Sequence, residues 1–141
     1  MIIADTGFWV ALFDPKDNYH LAVRSYVPQI NEPLITTLPV ITEVCYLLQE
    51  RHSAMKTVAF LQAQRERQLF SLFALELSHF LRIEQLMIKY ADLPMDLADA
   101  SLVILAEELG HGCILSTDRR DFHTYRWKNH QPFNNLLEGV L

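Results

Sequence analysis

The 141-residue chain has only two cysteines, four glycines and six prolines. Cys45 and Cys113 make neither a disulfide framework nor a zinc site. Their apolar neighbours predict buried free thiols. So little glycine and proline leaves no room for a linker or a low-complexity tract, and no repeat recurs at a solenoid period. No apolar stretch approaches the roughly 18 residues of a membrane-spanning helix. The N-terminus lacks the basic stretch of a signal peptide, and Asp5 interrupts its first apolar run. The expected location is therefore cytoplasmic. An excess of positive charge is missing too. The formal net charge of −5 argues against broad electrostatic binding of nucleic acid, but not against a local basic patch.

What is present is enough apolar material for a core. Half of the residues are hydrophobic and 21% are charged, which excludes a disordered chain. The length fits one domain over residues 1–141. Short apolar runs, Ile2–Ala4, Leu34–Thr37, Leu69–Phe73 and Cys113–Ser116, read as strands, the first of them buried. Helical patterns lie between them: Phe8–Phe13, His20–Val27, a helix from Thr37 to about His52 with Pro39 in its first turn, Ser53 to about Arg65, Ser78–Tyr90, and a helix opened by Asp96 and closed by Gly110. The last of these carries Ala98, Leu102, Val103, Ala106 and Leu109 on its apolar face. The tail from Pro132 has room for a last edge strand. Short apolar strands alternating with helices predict an α/β fold, a parallel sheet covered by helices on both faces. In such sheets ligands bind beyond the carboxyl ends of the strands.

Four acids stand in places that ordinary solvation does not explain. Asp5 ends the first strand, and Asp118 follows the strand Cys113–Ser116. Glu43 lies inside a helix, within about 60° of Val40 and about 40° of Leu47 around the helix axis, on the edge of the core-facing stripe. Asp99 shares a helix stripe with Val103 and Ala106. A carboxylate on an inward helical face is costly without a partner. Each acid also has a structural reading. Asp5 serves as a turn residue, and Asp96 and Asp99 suit a helix start, by capping and by the dipole. Asp118 is placed to cap a short helix containing Asp121. Only Glu43 has no capping role. If all four converge, two like charges about 4 Å apart repel by roughly 4 kcal/mol. Protonation or a divalent cation must then relieve them. Ligands that are all oxygen favour Mg²⁺ or Mn²⁺ over zinc.

At these residues the sequence resembles the PIN-domain family, and within it VapC-type toxin ribonucleases. Ile2-Ile3-Ala4-Asp5-Thr6-Gly7 looks like the family's opening strand, with its first acid. Thr42-Glu43-Val44 matches the helical glutamate motif. Leu97-Ala98-Asp99-Ala100 matches the third acid, and Ser116-Thr117-Asp118-Arg119-Arg120-Asp121-Phe122 matches the closing segment. The resemblance runs in order from Ile2 to about Arg126. It implies a three-layer α/β/α sandwich around a central, mostly parallel sheet. It also implies that Asp5, Glu43, Asp99 and Asp118 bind Mg²⁺ or Mn²⁺ and carry catalysis, with Asp121 and Asp96 as accessory acids. Thr6 and Thr117 would orient carboxylates through hydrogen bonds, though both also suit strand-end turns.

The implied activity is metal-dependent hydrolysis of RNA phosphodiester bonds, leaving a 5′-phosphate and a 3′-hydroxyl. The implied partners are an RNA substrate, a small antitoxin protein and a second copy of the chain. Arg119, Arg120, Arg126 and Lys128, with Tyr125 and Trp127 among them, are candidate RNA contacts, cations for phosphates and aromatics for bases. A solvated turn with a buried Trp is the structural alternative. Phe8, Trp9, Phe13 and Tyr19 read as core, with some of their surface available to an antitoxin. Three other functions stay open. One is a catalytically silent interaction module, although its acid set should be broken. Another is an RNA-processing nuclease without an antitoxin. The third is a phosphatase or receiver domain, which would need Asp-x-Asp after the first strand or a late strand-end lysine. The chain has Asp5-Thr6-Gly7 and no such lysine.

Overall fold

The computed structural model describes residues 1–141. In chain order its elements are β1 (Ile2–Ala4), α1 (Thr6–Phe13), α2 (His20–Tyr26), β2 (Leu34–Thr37), α3 (Leu38–Arg51), α4 (Ala54–Arg67), β3 (Ser71–Phe73), α5 (Phe80–Lys89), α6 (Leu97–Leu109), β4 (Cys113–Leu115), α7 (Arg119–Thr124), β5 (Arg126–Trp127), β6 (Gln131–Pro132) and β7 (Asn134–Asn135). A 3₁₀ turn extends α2 over Val27–Gln29, and another precedes α5 over Leu77–His79. The expected helix and strand positions hold, with ends shifted by a few residues. The short hairpin β5–β6 is an addition; two-residue strands leave no periodic trace.

Five strands form one sheet in the order β3-β2-β1-β4-β7. Every pairing in it is parallel. This is the expected α/β/α architecture, and its sheet is wholly parallel. The tail supplies an edge strand, as the sequence allowed. The hydrophobic strands Ile2–Ala4 and Ile114–Leu115 are buried because helices cover the sheet. β1 lies at its centre. The chain runs outward from β1 through β2 to β3, then crosses to β4 on the other side. The carboxyl ends of β1 and β4 therefore flank the point where strand order reverses, the crevice that ligands use in open α/β sheets.

The helices are seated by their ends. Asp5 caps α1, Asp96 caps α6, and Asp118 caps α7, each side chain accepting a bond from a first-turn N–H. Gly110 closes α6 with φ 76°, a left-handed conformation that glycine adopts freely. The apolar face expected on α6 proves too narrow. Ala98, Leu102, Val103 and Ala106 are buried, but so are Ala100, Ser101, Ile104 and Leu105. This is a central helix, packed on α3, α5, β1 and β2. Its Ser101 hydroxyl is bonded to Ala98 O and to the Thr37 hydroxyl at 2.6 Å. Thr37 stands at the N-cap of α3 but makes no side-chain cap bond.

An aromatic cluster joins α1, α4 and the residue before β3. Trp9 packs on Phe60 and Phe70, and Phe13 on Phe60. Phe8 and Trp9 are core, as expected. Tyr19 is not: it is 37% exposed. The two cysteines are half-buried rather than fully buried, and both are free.

Candidate active site

Asp5 leaves β1 directly into α1 and is 5% exposed. Its backbone N–H donates to Leu115 O at 3.1 Å, which places it beside the end of β4. Its carboxylate accepts from Thr6 N at 2.7 Å and from the Ser116 hydroxyl at 2.9 Å. The same Ser116 oxygen accepts from Asp118 N at 3.0 Å. One hydroxyl thus couples the ends of two neighbouring strands and two of the four acids. Ser116 is in turn held by Asn135 of β7. The Asn135 side chain accepts from Ser116 N at 3.1 Å and donates to Ser116 O at 2.9 Å.

Asp5, Glu43, Asp96, Asp99, Asp118 and Asp121 line one open hollow of about 530 Å³, together with Thr6, Gly7 and Thr117. Glu43 reaches it from α3, half-buried, beside Asp96. Asp99 enters from the first turn of α6. Its N–H bonds the Asp96 carboxylate at 2.9 Å, so a capping role for Asp96 is compatible with a place at the site. Asp118 likewise both caps α7, accepting from Asp121 N at 3.1 Å, and faces the hollow. Three helix N-termini therefore meet there. Their partial positive charge offsets part of the negative field.

They do not offset it fully. Burial pushes the Asp5 carboxyl up to about 7, against the lowering bonds from Thr6 and Ser116, and the charges of Glu43 and Asp118 raise it further. Burial likewise pushes Asp99 up to about 8, with Asp5, Asp96 and Glu43 as repelling neighbours. Glu43 is raised by its burial and then by Asp96. Asp118 is raised by partial burial as well. No cation inside the hollow answers this charge. Arg120 pairs with Asp121 at 3.2 Å from an exposed position, and Arg51 at the rim is bonded to Asp14 and Asp17.

The Thr6 hydroxyl is buried with no hydrogen-bond partner at full bonding distance, although it lies close enough to Glu43 to temper that acid. Crowded oxygen donors, raised carboxyl pKa values and an orphaned buried hydroxyl suit a hard divalent cation. As the side chains stand, no three of these acids are close enough together to hold one ion.

Comparison with known proteins identifies the family and the fold. Residues 2–128 match the profile of the PIN domain. The chain belongs to the PIN-domain family. It is 31% identical over 127 residues to ribonuclease VapC26 of Mycobacterium tuberculosis, covering 89% of this chain and 92% of that protein. The crystal structure of M. tuberculosis VapC20, described as a sarcin-ricin loop cleaving toxin, superposes with a TM-score of 0.76. That match covers 85% of this chain and 92% of the other at 18% identity, and it shows a shared fold.

In this PIN domain some expected contacts are placed otherwise. Tyr125 is fully buried rather than poised to stack on a base. Its ring packs between Tyr90 and Phe122. Its hydroxyl donates to Asp99 Oδ2 at 3.0 Å, and burial first, then Asp99, holds it protonated far above the usual phenol range. Arg126 spends one terminal nitrogen on the carbonyls of His123, Thr124 and Tyr125. Lys128 is exposed, near the face of a half-buried Trp127 whose Nε1 donates to Pro132 O. None of Arg119, Arg120, Arg126 and Lys128 lines the hollow. Ser116 and Tyr125 were missed as partners of the acids. Ser116 reads from sequence as an ordinary strand end, and only its parallel register beside Asp5 reveals its task.

Proposed function

We propose that this PIN domain is a metal-dependent ribonuclease that hydrolyses RNA phosphodiester bonds, and that it acts as the toxin of a type II toxin–antitoxin pair. The observation that carries this reading is the meeting of Asp5, Glu43, Asp99 and Asp118 in one hollow whose only lining cation, Arg51, is already paired with Asp14 and Asp17. The names of its relatives support the choice of RNA and the toxin role. Asp5, Glu43, Asp99 and Asp118 would hold Mg²⁺ or Mn²⁺, with Asp96 and Asp121 as accessory acids. Such an ion supplies neutralisation of the crowded charge and acidifies water for attack at phosphorus.

The chain's own groups prepare that site. Ser116 and Thr6 N fix the orientation of Asp5. Tyr125 fixes Asp99. Hydrogen-bonded carboxylates lose less freedom when they close on a cation. No side chain is positioned as a nucleophile, and none is required. A small antitoxin and a second copy of the chain complete the proposed assembly.

The test is cleavage of RNA with Mg²⁺, with EDTA, and with Asp5→Asn and Asp99→Asn. Cleavage should occur only in the first condition, while both variants keep their fold by circular dichroism. Undiminished cleavage by both variants would remove the assigned roles. Induced expression without a partner should arrest growth; harmless overproduction would remove the toxin role.

A further inference from the structure

A second polar cluster stands on the rim of the hollow, outside the acid set. Asp14, which ends α1, is 2% exposed. It accepts from His52 Nε2 at 2.7 Å, from Lys16 N at 2.9 Å and from Arg51 Nη1 at 3.3 Å. These bonds hold its carboxyl below the usual range despite burial. Arg51 Nη1 also donates to Asp17 at 2.9 Å. The guanidinium is thus bracketed by two carboxylates on one nitrogen. Its Nε and Nη2 bond no protein group. The side chain is 43% exposed and is the only cation among the residues lining the hollow. Tyr19, 37% exposed, lines the same hollow.

A tie between the end of α3 and the α1–α2 loop would use the fork of an arginine more fully. Here one nitrogen is tied to both carboxylates and the other two bond no protein group. That is the arrangement of a pre-positioned donor for an anion. Arg51 stands eight residues after Glu43 on α3, about 12 Å along the helix axis. It is therefore placed for a phosphate flanking the bond that is cut, not for that bond itself.

We infer that Arg51, bracketed by Asp14 and Asp17, contacts a backbone phosphate of a single-stranded RNA entering the hollow, and that Tyr19 offers its ring to an adjoining base. The inference rests on the ribonuclease reading. A cation for the backbone beside an aromatic face for the base is the general chemistry of single-strand binding. Arg51 is the one guanidinium in the lining with N–H groups left to donate, so it offers an approaching phosphate directed hydrogen bonds even though Asp14 and Asp17 balance its charge.

The test uses a 2′-O-methyl RNA oligonucleotide, which resists cleavage, with fluorescence anisotropy across a salt series, and steady-state cleavage of the unmodified RNA. Arg51→Gln should weaken binding and raise KM by about tenfold, and lower kcat much less. The slope of log affinity against log salt should become shallower by about 0.7, the value for one phosphate on a single strand. Tyr19→Ala should weaken binding with no change in slope. If Arg51→Gln does not fold, Arg51→Lys is read in its place; it keeps the charge and should retain most of the slope while losing affinity. A folded Arg51→Gln protein with wild-type affinity and slope overturns the inference and leaves the ribonuclease reading standing. Wild-type protein that neither binds nor cuts RNA removes both.

Discussion

The Tyr125 hydroxyl donates to Asp99 Oδ2 at 3.0 Å from a fully buried ring. This joins the segment after α7 to the first turn of α6. It gives one of the strongly raised acids a fixed neutral donor. Tyr125→Phe removes that donor and keeps the ring between Tyr90 and Phe122. Loss of one such bond should cost about 1 kcal/mol in stability. The functional effect should be larger, because groups that orient metal-binding carboxylates typically change metal affinity by about 10–100-fold. Titration of RNA cleavage with Mg²⁺ should show half-activation shifted upward by at least tenfold, with much of the rate restored at saturating metal. An unchanged Mg²⁺ dependence would make Tyr125 a packing residue only.

The raised acids set the sign of a pH effect on the metal-free protein. Asp5 and Asp99 have folded pKa values of about 7 and about 8, above the ordinary 3.8. The folded state therefore binds more protons than the unfolded state between these values. Stability must fall as pH rises through that window. Their contribution is fully present below about pH 4 and lost by about pH 8. Other carboxylates act oppositely at the acid end, Asp14 among them. Thermal melts in EDTA should therefore show a falling melting temperature from pH 5.5 to pH 8.5. Asp99→Asn should flatten the fall. Added Mg²⁺ should stabilise most at high pH, where the acids are ionised and free to bind it. A melting temperature that climbs steadily to pH 8.5 in EDTA contradicts the crowding of these charges.

Asp5, Glu43, Asp99 and Asp118 were legible because each is an acid where periodicity or strand position expects something else. A charged residue on a core-facing stripe is a local anomaly, and local anomalies can be read from a sequence. What holds those acids is not local. Ser116 meets Asp5, Tyr125 meets Asp99, and Arg51 meets Asp14 only after distant segments pack. Tyr125 misleads for a further reason. A tyrosine among arginines reads alike whether its ring faces solvent or core, and the choice is made by Tyr90 and Phe122. The parallel sheet was legible from short apolar runs between helices. The full burial of α6 was not. Its Ser101 and Ala100 look like a polar, small-residue face until α3 and the sheet are seen to cover them.

Gly7 and Thr117 offer a test of how tightly the first turn of α1 is fitted against the loop before α7. Gly7 follows the first acid by two residues, and Thr117 precedes the fourth by one. A Cβ built at Gly7 would lie 1.9 Å from Thr117 Oγ1 and 3.2 Å from Thr117 Cβ. The hydroxyl position is impossible for any larger residue, and the Cβ contact is tight. Gly7→Ala must therefore turn Thr117 away or shift the loop that carries Asp118. Such overpacking costs typically about 1–3 kcal/mol, and here it also displaces an acid of the site, so cleavage should fall by about tenfold or more. The double variant Gly7→Ala/Thr117→Ala removes the clashing oxygen and leaves only the tight Cβ contact. It should recover most of the lost stability, giving a coupling energy of at least about 1 kcal/mol in a double-mutant cycle. Its activity separates two tasks of Thr117. Recovery of cleavage along with stability means that Thr117 acts through fit alone. Recovery of stability without cleavage means that its hydroxyl also orients a carboxylate. Additive losses in the double variant would show that the two residues are not in contact.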